Sequence, residues 1–162
     1  MMSTPVIREF NPSVDKQAVI GLIAELQDNE KTFDDRIPPG IEMAGTYYDW
    51  TIERARENSG KIFVAEAGGA VTGFISVLAR MKYTDPDEYP HEFALVDEFV
   101  VHQPLRDKGL GRALMARAEE YARECGATRL QLNVTASNLR ARRFYTSWGF
   151  ETMWLEMEKR LI

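Results

Sequence analysis

The chain has 162 residues, of which 44% are apolar and 28% charged, with 11 glycines and 7 prolines. These values are typical of a globular protein and exclude collagen-like, low-complexity and wholly disordered chains. The apolar runs are far shorter than the about 20 residues of a membrane-spanning helix, and the first residues lack a secretory signal pattern. A single cysteine, Cys125, excludes an internal disulfide and a cysteine-based zinc site. We therefore expect one domain over residues 1–162, located in the cytosol and not bound to a membrane.

The charge is unevenly distributed along the chain. The net charge of −5 argues against nucleic acid as a main partner. Residues 1–103 carry 9 basic and 18 acidic side chains, whereas residues 104–162 carry 11 basic and 7 acidic ones. Both sets can be ordinary solvated surface. The sharper interpretation is that the acidic part meets a cation and the basic part meets an anion.

The first two thirds of the chain predict helices and a run of strands. Apolar residues at helical spacing indicate the helices, and Gly68-Gly69 between two β-rich runs indicates a hairpin. In chain order we predict a strand at 6–10, a helix that includes 19–26, a loop at 29–40, a helix within 46–57, strands at 61–67 and 70–80, a loop at 83–91 and a strand at 93–101.

The last third alternates between strand and helix. A helix from Leu110 is ended by Gly126, a strand follows at 130–134, and a helix from about 138 to 148 is stopped by Gly149. A final strand is predicted within 150–159. This order predicts a mixed α+β fold, with antiparallel strands first and a βαβ crossover near the C-terminal end.

A glycine-containing turn lies between the strand at 93–101 and the next helix. Gly109 and Gly111 allow a sharp turn and bring backbone N–H groups close to a ligand. The helix N-terminus adds free donors and a partial positive charge, which suits phosphate oxygens. The segment matches neither a Walker loop nor a complete dinucleotide fingerprint. By itself, such a Gly-x-Gly is more often plain turn chemistry.

The helix at 138–148 has a polar face. Asn138, Ala141 and Tyr145 are spaced i, i+3 and i+7, so an amide and a phenol lie on one side with a small residue between them. By itself, this face indicates a capping asparagine and a half-buried tyrosine.

Together the two segments resemble the GNAT superfamily of acetyl-CoA-dependent N-acetyltransferases. The order of predicted elements agrees with that family over nearly the whole chain. The resemblance implies a central, mostly antiparallel, splayed sheet flanked by helices, whose C-terminal βαβ half binds the cofactor. The family pattern R/Q-x-x-G-x-G/A matches Arg106, Gly109 and Gly111, and the pattern N-x-x-A-x-x-F/L-Y-x-x-x-G-F matches Asn138, Ala141, Phe144, Tyr145, Gly149 and Phe150.

The resemblance implies acetyl-CoA as co-substrate, no metal, and a homodimer. Backbone groups near residues 99–101, where the family strand has a bulge, would bind the pantetheine and the acetyl carbonyl, and the glycine turn would hold the pyrophosphate. Asn138 would hold the cofactor arm, and Tyr145 would lie near the sulfur. The implied cofactor-binding residues are Phe99, Val100, Val101, Arg106, Asp107, Lys108, Gly109, Leu110, Gly111, Arg112, Asn138 and Ala141.

Acetyl transfer to an amine needs a base, donors for the oxyanion and a proton for the leaving thiolate. Tyr145, with a reference pKa of about 10, suits the last role. Asp97 and Glu98 are candidates for the base, and their strand looks like the acidic-pair strand of small-amine acetyltransferases. They point to opposite faces of a regular strand, so at most one should face the acceptor unless the strand is irregular.

We therefore predict direct acetyl transfer to a primary amine of a small cationic metabolite. Asp34, Asp35 and the acidic loop at 85–92 would attract this acceptor. Acetylation of a protein N-terminus or lysine is the alternative within the enzyme class. A catalytically silent acyl-CoA-binding module would need the glycine turn but neither Tyr145 nor an acid, so the presence of all three favours the enzyme.

Overall fold

The computed structural model describes residues 5–161, whose strands form a five-stranded sheet in the order β1-β2-β3-β4-β5. All neighbouring strands are antiparallel except β4 and β5, which are parallel and joined by a helix. The predicted α+β fold with a βαβ crossover is confirmed. The elements are β1 (Val6–Glu9), α1 (Pro12–Lys31), α2 (Gly40–Glu57), β2 (Lys61–Ala67), β3 (Ala70–Tyr83), β4 (His91–Val101), a 3-10 turn (Gln103–Leu105), α3 (Leu110–Glu124), β5 (Leu130–Leu132) and α4 (Leu139–Trp148).

Helices cover both faces of the sheet. α1 and α2 pack on one face, where Val19 and Ile23 of α1 share a buried cluster with Phe74 of β3. α3 packs on the other face and buries Leu114 against Ile75. Each fully buried side chain of this kind contributes about 1.5–3 kcal/mol to folding. Because both faces are covered, the middle of β3 is buried without a break from Thr72 to Ala79 and shows no alternation of buried and exposed residues.

The connection between α1 and α2 is shorter than the loop predicted at 29–40. α1 continues to Lys31, and α2 begins at Gly40, whose N–H donates to Oδ1 of Asp28 over 2.7 Å. A Cβ atom at Gly40 would lie 2.1 Å from the carbonyl oxygen of Ala24, so only glycine permits this close approach of the two helices. The start of α2 is therefore held against the last turns of α1.

The strand predicted within 150–159 is wrong. Residues 151–161 have no regular secondary structure, and all of them are exposed. A sequence alternation becomes a strand only when a neighbouring edge accepts its hydrogen bonds, and in the described chain β5 spans just Leu130–Leu132 and pairs only with β4. The segment is held instead by ion pairs from Glu158 to Arg36 (2.9 Å) and from Arg160 to Asp35 (3.1 Å). None of the helices described here is long and apolar enough to span a bilayer.

Candidate active site

β4 and β5 run side by side for a short distance and then separate. They are paired only from Ala94 to Val96 on β4 and from Leu130 to Leu132 on β5. β4 continues to Val101 without a partner on that edge among the described residues. Its last backbone groups on this side have no strand partner and can bind a ligand, except the carbonyl oxygen of Val101, which accepts a hydrogen bond from the Arg106 side chain. The splayed sheet that the resemblance implied is present, and α3 and α4 begin on either side of the opening.

β4 has a bulge at Asp97. Val96 is paired with Val77 of β3 and Glu98 with Ser76, so Asp97 is an extra residue on one strand. The resemblance placed the bulge at residues 99–101. The register from Glu98 to Val101 is regular, however, so the bulge lies just before that segment, at Asp97. Because of this irregularity, both acids contact the same helix, α2. The expectation of opposite faces, which assumed a regular strand, does not apply.

Asp97 is neutralised by an arginine of α2. Arg54 donates from Nη2 to Oδ1 of Asp97 over 2.8 Å and from Nε to both carboxylate oxygens over 3.2 Å. The guanidinium also lies over the ring of Trp50, 4.6 Å from its centroid. Asp97 is thus held by a planar, charge-assisted fork in which both carboxylate oxygens already have a donor.

Glu98 has a different environment. It is only 8% exposed, and its Oε1 accepts a hydrogen bond from the hydroxyl of Tyr47 on α2. Burial is the main cause that raises the pKa of Glu98 to about 7, while the Tyr47 hydrogen bond lowers it. No arginine or lysine of residues 5–161 forms a salt bridge with it. A carboxyl with a pKa near neutrality is suited to exchange a proton at physiological pH.

Tyr145 faces the same opening from α4. Asn138 caps this helix, since its Oδ1 accepts from the N–H of Ala141 over 3.1 Å. The Tyr145 ring packs against Phe99 of β4 and against Phe150, with centroid distances of 6.4 and 5.9 Å. Burial, followed by the negative charges of Glu30 and Glu98, raises the pKa of Tyr145 above its ordinary value. The phenol therefore keeps its proton at neutral pH.

The turn before α3 has the geometry of an anion site. Asp107 and Gly109 have left-handed backbone conformations, with φ of 62° and 86°. The N–H groups in the first turn of the helix that starts at Leu110 have no partners within the helix, and no described side chain caps them. These groups fit the phosphates of a coenzyme A thioester. Gly111 allows the ring of Phe99 to pack closely against the start of α3, since a Cβ atom at this position would lie 3.3 Å from that ring.

Arg106 points into the protein. Its Nε donates to the carbonyl oxygen of Val101 over 2.8 Å, and its Nη2 lies 3.3 Å from Oε1 of Glu25 on α1. Glu25 also accepts from the N–H of Gln103 and faces Nδ1 of His102, both over 2.7 Å. The side chain of Arg106 thus anchors the turn, and Glu25 ties that turn to α1.

A second carboxylate of α1 reaches the start of α4. Glu30 accepts from Oγ1 of Thr135 over 3.2 Å and from Nδ2 of Asn138 over 3.4 Å. Both ends of the Asn138 amide therefore have protein partners, and its contact with the cofactor arm stays a prediction. The acidic pair expected to attract the acceptor is compensated, because Asp34 pairs with Arg36 over 2.8 Å and Asp35 with Arg160.

Sequence reasoning missed the contributions of α1 and α2. Glu25 and Glu30 carry no recognisable pattern, because acidic side chains on a helix are usually solvated. Tyr47 and Arg54 are spaced i, i+7 and therefore share a face of α2 that should be apolar if it only packed on the sheet. This spacing is the one signal that could have revealed them.

Comparison with protein families and known proteins agrees with this geometry. Residues 22–150 match the acetyltransferase (GNAT) family. The uncharacterized N-acetyltransferase YycN of Bacillus subtilis is 25% identical over 82% of this chain and 73% of its own length. The aminoalkylphosphonate N-acetyltransferase of Salmonella typhimurium is 27% identical over 91% and 86%. The L-methionine sulfoximine/L-methionine sulfone acetyltransferase of the same organism is 32% identical, over 55% of this chain and about half, 49%, of its own length.

Solved structures share the fold. A GCN5-related N-acetyltransferase from Ralstonia eutropha superposes with a TM-score of 0.71 and 23% identity, covering 98% of this chain and 99% of its own. AAC(6')-Iy in complex with the bisubstrate analog CoA-S-monomethyl-acetylneamine superposes with a TM-score of 0.70 and 18% identity, covering 98% of both chains. At these identities the likeness concerns the fold alone.

Proposed function

Because the chain belongs to the acetyltransferase (GNAT) family and is an acetyl-transferring enzyme, we propose that it transfers the acetyl group of acetyl-CoA directly to a primary amine of a small cationic molecule. The observation that carries this proposal is the presence of two groups able to exchange a proton, Glu98 and Tyr145, at the opening between β4 and β5. Glu98 is a buried carboxyl with a pKa of about 7, and Tyr145 is a protonated phenol whose pKa responds to the Glu98 charge.

Glu98 acts as the base in this proposal. An amine is mostly protonated at neutral pH and must lose a proton before its nitrogen lone pair can attack a carbonyl. Glu98, when ionised, accepts that proton, and the Tyr47 hydroxyl stabilises the ionised form by donating a hydrogen bond to it. Asp97 keeps Arg54 and does not take part in the proton transfer.

The cofactor side uses mainly backbone groups. Acetyl-CoA, when bound, supplies the activated acyl group as a thioester. The N–H groups of residues 107–112 bind its phosphates, and the open edge of β4 at residues 99–101 supplies backbone donors for the pantetheine and the developing oxyanion. Tyr145 donates its proton to the leaving sulfur.

Direct transfer is favoured over a covalent acetyl-enzyme. The single cysteine, Cys125, caps the C-terminal end of α3, whereas the anion site is at the N-terminal end of this helix. Fifteen residues of helix separate the two by about 22 Å at 1.5 Å per residue. Cys125 is therefore not part of the anion site, and the proposal assigns the role of acyl acceptor to the amine alone.

The comparisons support a small acceptor. Two of the relatives are named for acetylating an aminoalkylphosphonate and methionine sulfoximine, both of which are small molecules that carry an amine. The alternative acceptors are a protein N-terminus and a lysine side chain, which require an extended binding groove.

The test is a panel of small amines, amino acids and lysine-containing peptides, with release of the free CoA thiol as the measurement. We expect turnover with small amines and no turnover with peptides. Glu98→Gln serves as the control, which should lower enzymatic release by about 10²-fold but leave acetyl-CoA binding intact in calorimetry. Turnover with peptides alone would assign the protein-acetylating alternative. Tight acetyl-CoA binding without turnover of any acceptor would identify a silent binding module.

A further inference from the structure

Most of the carboxylates withdrawn from solvent in the described part of this protein form a salt bridge with arginine. Eight carboxylates of residues 5–161 are buried or half-buried, and six of them form a salt bridge with an arginine. Glu30 and Glu98 form none within that part of the chain. The six paired residues are Asp15, Glu25, Asp34, Glu66, Asp97 and Glu119.

The two unpaired carboxylates belong to the same site. Glu30 lies in the last turn of α1 and contacts the side chains of Thr135 and Asn138 at the start of α4. It lies close enough for its charge to raise the pKa of both Glu98 and Tyr145. The C-terminal end of α1 adds a further partial negative charge at this position. The opening thus has two carboxylates, from α1 and β4, that form no salt bridge within the described chain, and the nearby Arg54, whose charge lowers the pKa of Glu98, is paired with Asp97.

The present partners of Glu30 satisfy it only weakly. Both are neutral donors, and the distances of 3.2 and 3.4 Å are at or beyond the normal range for hydrogen bonds. A hydrogen bond from a cationic nitrogen to a carboxylate is shorter and about twice as strong. An ammonium group of a ligand can therefore replace or supplement these contacts at a net gain in binding free energy.

We propose, on the basis of the function assigned above, that Glu30 is a specificity-determining residue that binds a second positive charge of the acceptor. The preferred acceptor is therefore a compact diamine, whose reacting ammonium faces Glu98 and whose other ammonium faces Glu30. After Glu98 has taken the proton of the reacting nitrogen, Glu30 still needs a cation of its own, which a monoamine cannot provide. An acceptor with a carboxylate or phosphonate beside its amine is repelled.

Three amines of similar size test this inference. Putrescine carries two ammonium groups, butylamine carries one, and aminoethylphosphonate combines an ammonium with an anion. We expect the wild-type kcat/KM to be higher for putrescine than for butylamine by about tenfold or more, which corresponds to about 1.4 kcal/mol or more of differential binding. Aminoethylphosphonate should be the poorest acceptor of the three.

Glu30→Gln should remove this ranking. Its amide oxygen can accept from Nδ2 of Asn138 and its NH2 group can donate to Oγ1 of Thr135, but the charge is lost, so putrescine should lose about tenfold in kcat/KM while butylamine and the KM for acetyl-CoA change little. Thr135→Val is the matched control, because it deletes one contact of Glu30 and leaves the charge. It should preserve the preference for putrescine.

Several results would overturn the inference. If the ratio of kcat/KM for putrescine to that for butylamine is the same in wild type and Glu30→Gln, Glu30 does not bind a second positive charge of the acceptor. A rise in the KM for acetyl-CoA with an unchanged ratio would show that Glu30 only supports Asn138. Failure of the proposed function is distinct, since in that case no small amine would release CoA from the wild-type protein.

Discussion

Two glutamates of α1, Glu25 and Glu30, have opposite electrostatic environments. Glu25 is surrounded by hydrogen-bond donors of the glycine turn, including Arg106 of the family motif. By contrast, Glu30 and Glu98 of β4 form no salt bridge with an arginine or lysine of residues 5–161. The contacts of Glu25 hold the glycine turn in place, which suits its proposed role in phosphate binding. The lack of a salt bridge leaves Glu30 and Glu98 able to pair with a cationic substrate, as proposed above.

The bulge in β4 creates a similar contrast between neighbours. Asp97 and Glu98 both reach α2, but only Asp97 meets an arginine. Two adjacent acids thus have different environments: Asp97 joins β4 to α2 through Arg54, whereas Glu98 has no salt bridge within the described chain. In our proposal this difference in charge environment, and not the residue type, separates the structural carboxylate from the catalytic one.

Tyr145→Phe should have the largest effect. Removal of the proton donor for the leaving sulfur should lower kcat by about 10²- to 10⁴-fold, with the affinity for acetyl-CoA nearly unchanged. Calorimetry and single-turnover kinetics measure the two quantities. The aromatic packing of the ring on Phe99 is preserved in the variant, so its thermal stability serves as the control. Wild-type kcat under conditions where chemistry limits the rate would remove Tyr145 from its assigned role.

Glu98→Gln and Asp97→Asn should separate the two acids. We expect Glu98→Gln to lower kcat/KM for the amine by about 10²-fold at neutral pH, because the base is lost. Asp97→Asn should instead lower the free energy of unfolding by about 1–3 kcal/mol, because Arg54 loses its charged partner, with a smaller effect on the chemical step. Denaturant unfolding and steady-state kinetics on both variants check this. Equal kinetic losses would contradict the division of roles.

Glu25→Gln tests whether the contacts of Glu25 hold the glycine turn in place. The substitution removes the charge that holds Arg106 and faces His102, so the glycine turn should become less ordered. The KM for acetyl-CoA should rise about tenfold, equivalent to about 1.4 kcal/mol, while kcat at saturation stays close to wild type. His102→Ala, which keeps the Gln103 and Arg106 contacts, should have a smaller effect. A fall in kcat with unchanged KM would show that Glu25 does not act through the turn.

Tyr47→Phe should have the smallest effect, a displacement of the pH profile. Glu98 is active when ionised, so kcat/KM should increase as the pH rises through about 7. The Tyr47 hydroxyl lowers the pKa of Glu98, and its removal should move this limb to higher pH. Activity should therefore fall a few-fold near pH 7 and recover at more alkaline pH, within about one pH unit of displacement. A displacement towards lower pH would contradict the assigned hydrogen bond.

The sequence was sufficient for features that depend on neighbouring residues. The helix beginning at Leu110, its turn with Gly109 and the capping of α4 by Asn138 follow from local backbone preferences and short-range hydrogen bonds. The parallel crossover from β4 to β5 follows from the order of the elements. The final strand within 150–159 was predicted wrongly, because alternation describes the capacity of a segment to pair and not the presence of a partner edge.

By itself, the sequence determined the fold class, the family and the identity of the candidate acids and phenol, because these are encoded in motifs of a few residues. Only the tertiary structure decided the environment of each acid. The pKa of a carboxyl depends on burial and on charges within several ångströms, and these neighbours come from elements far apart in the chain. Arg54 meets Asp97 across 43 positions of sequence, and Tyr47 meets Glu98 across 51. The bulge that turns both acids towards α2 is likewise a property of the pairing between strands, so no local pattern distinguishes the proposed base from its neighbour.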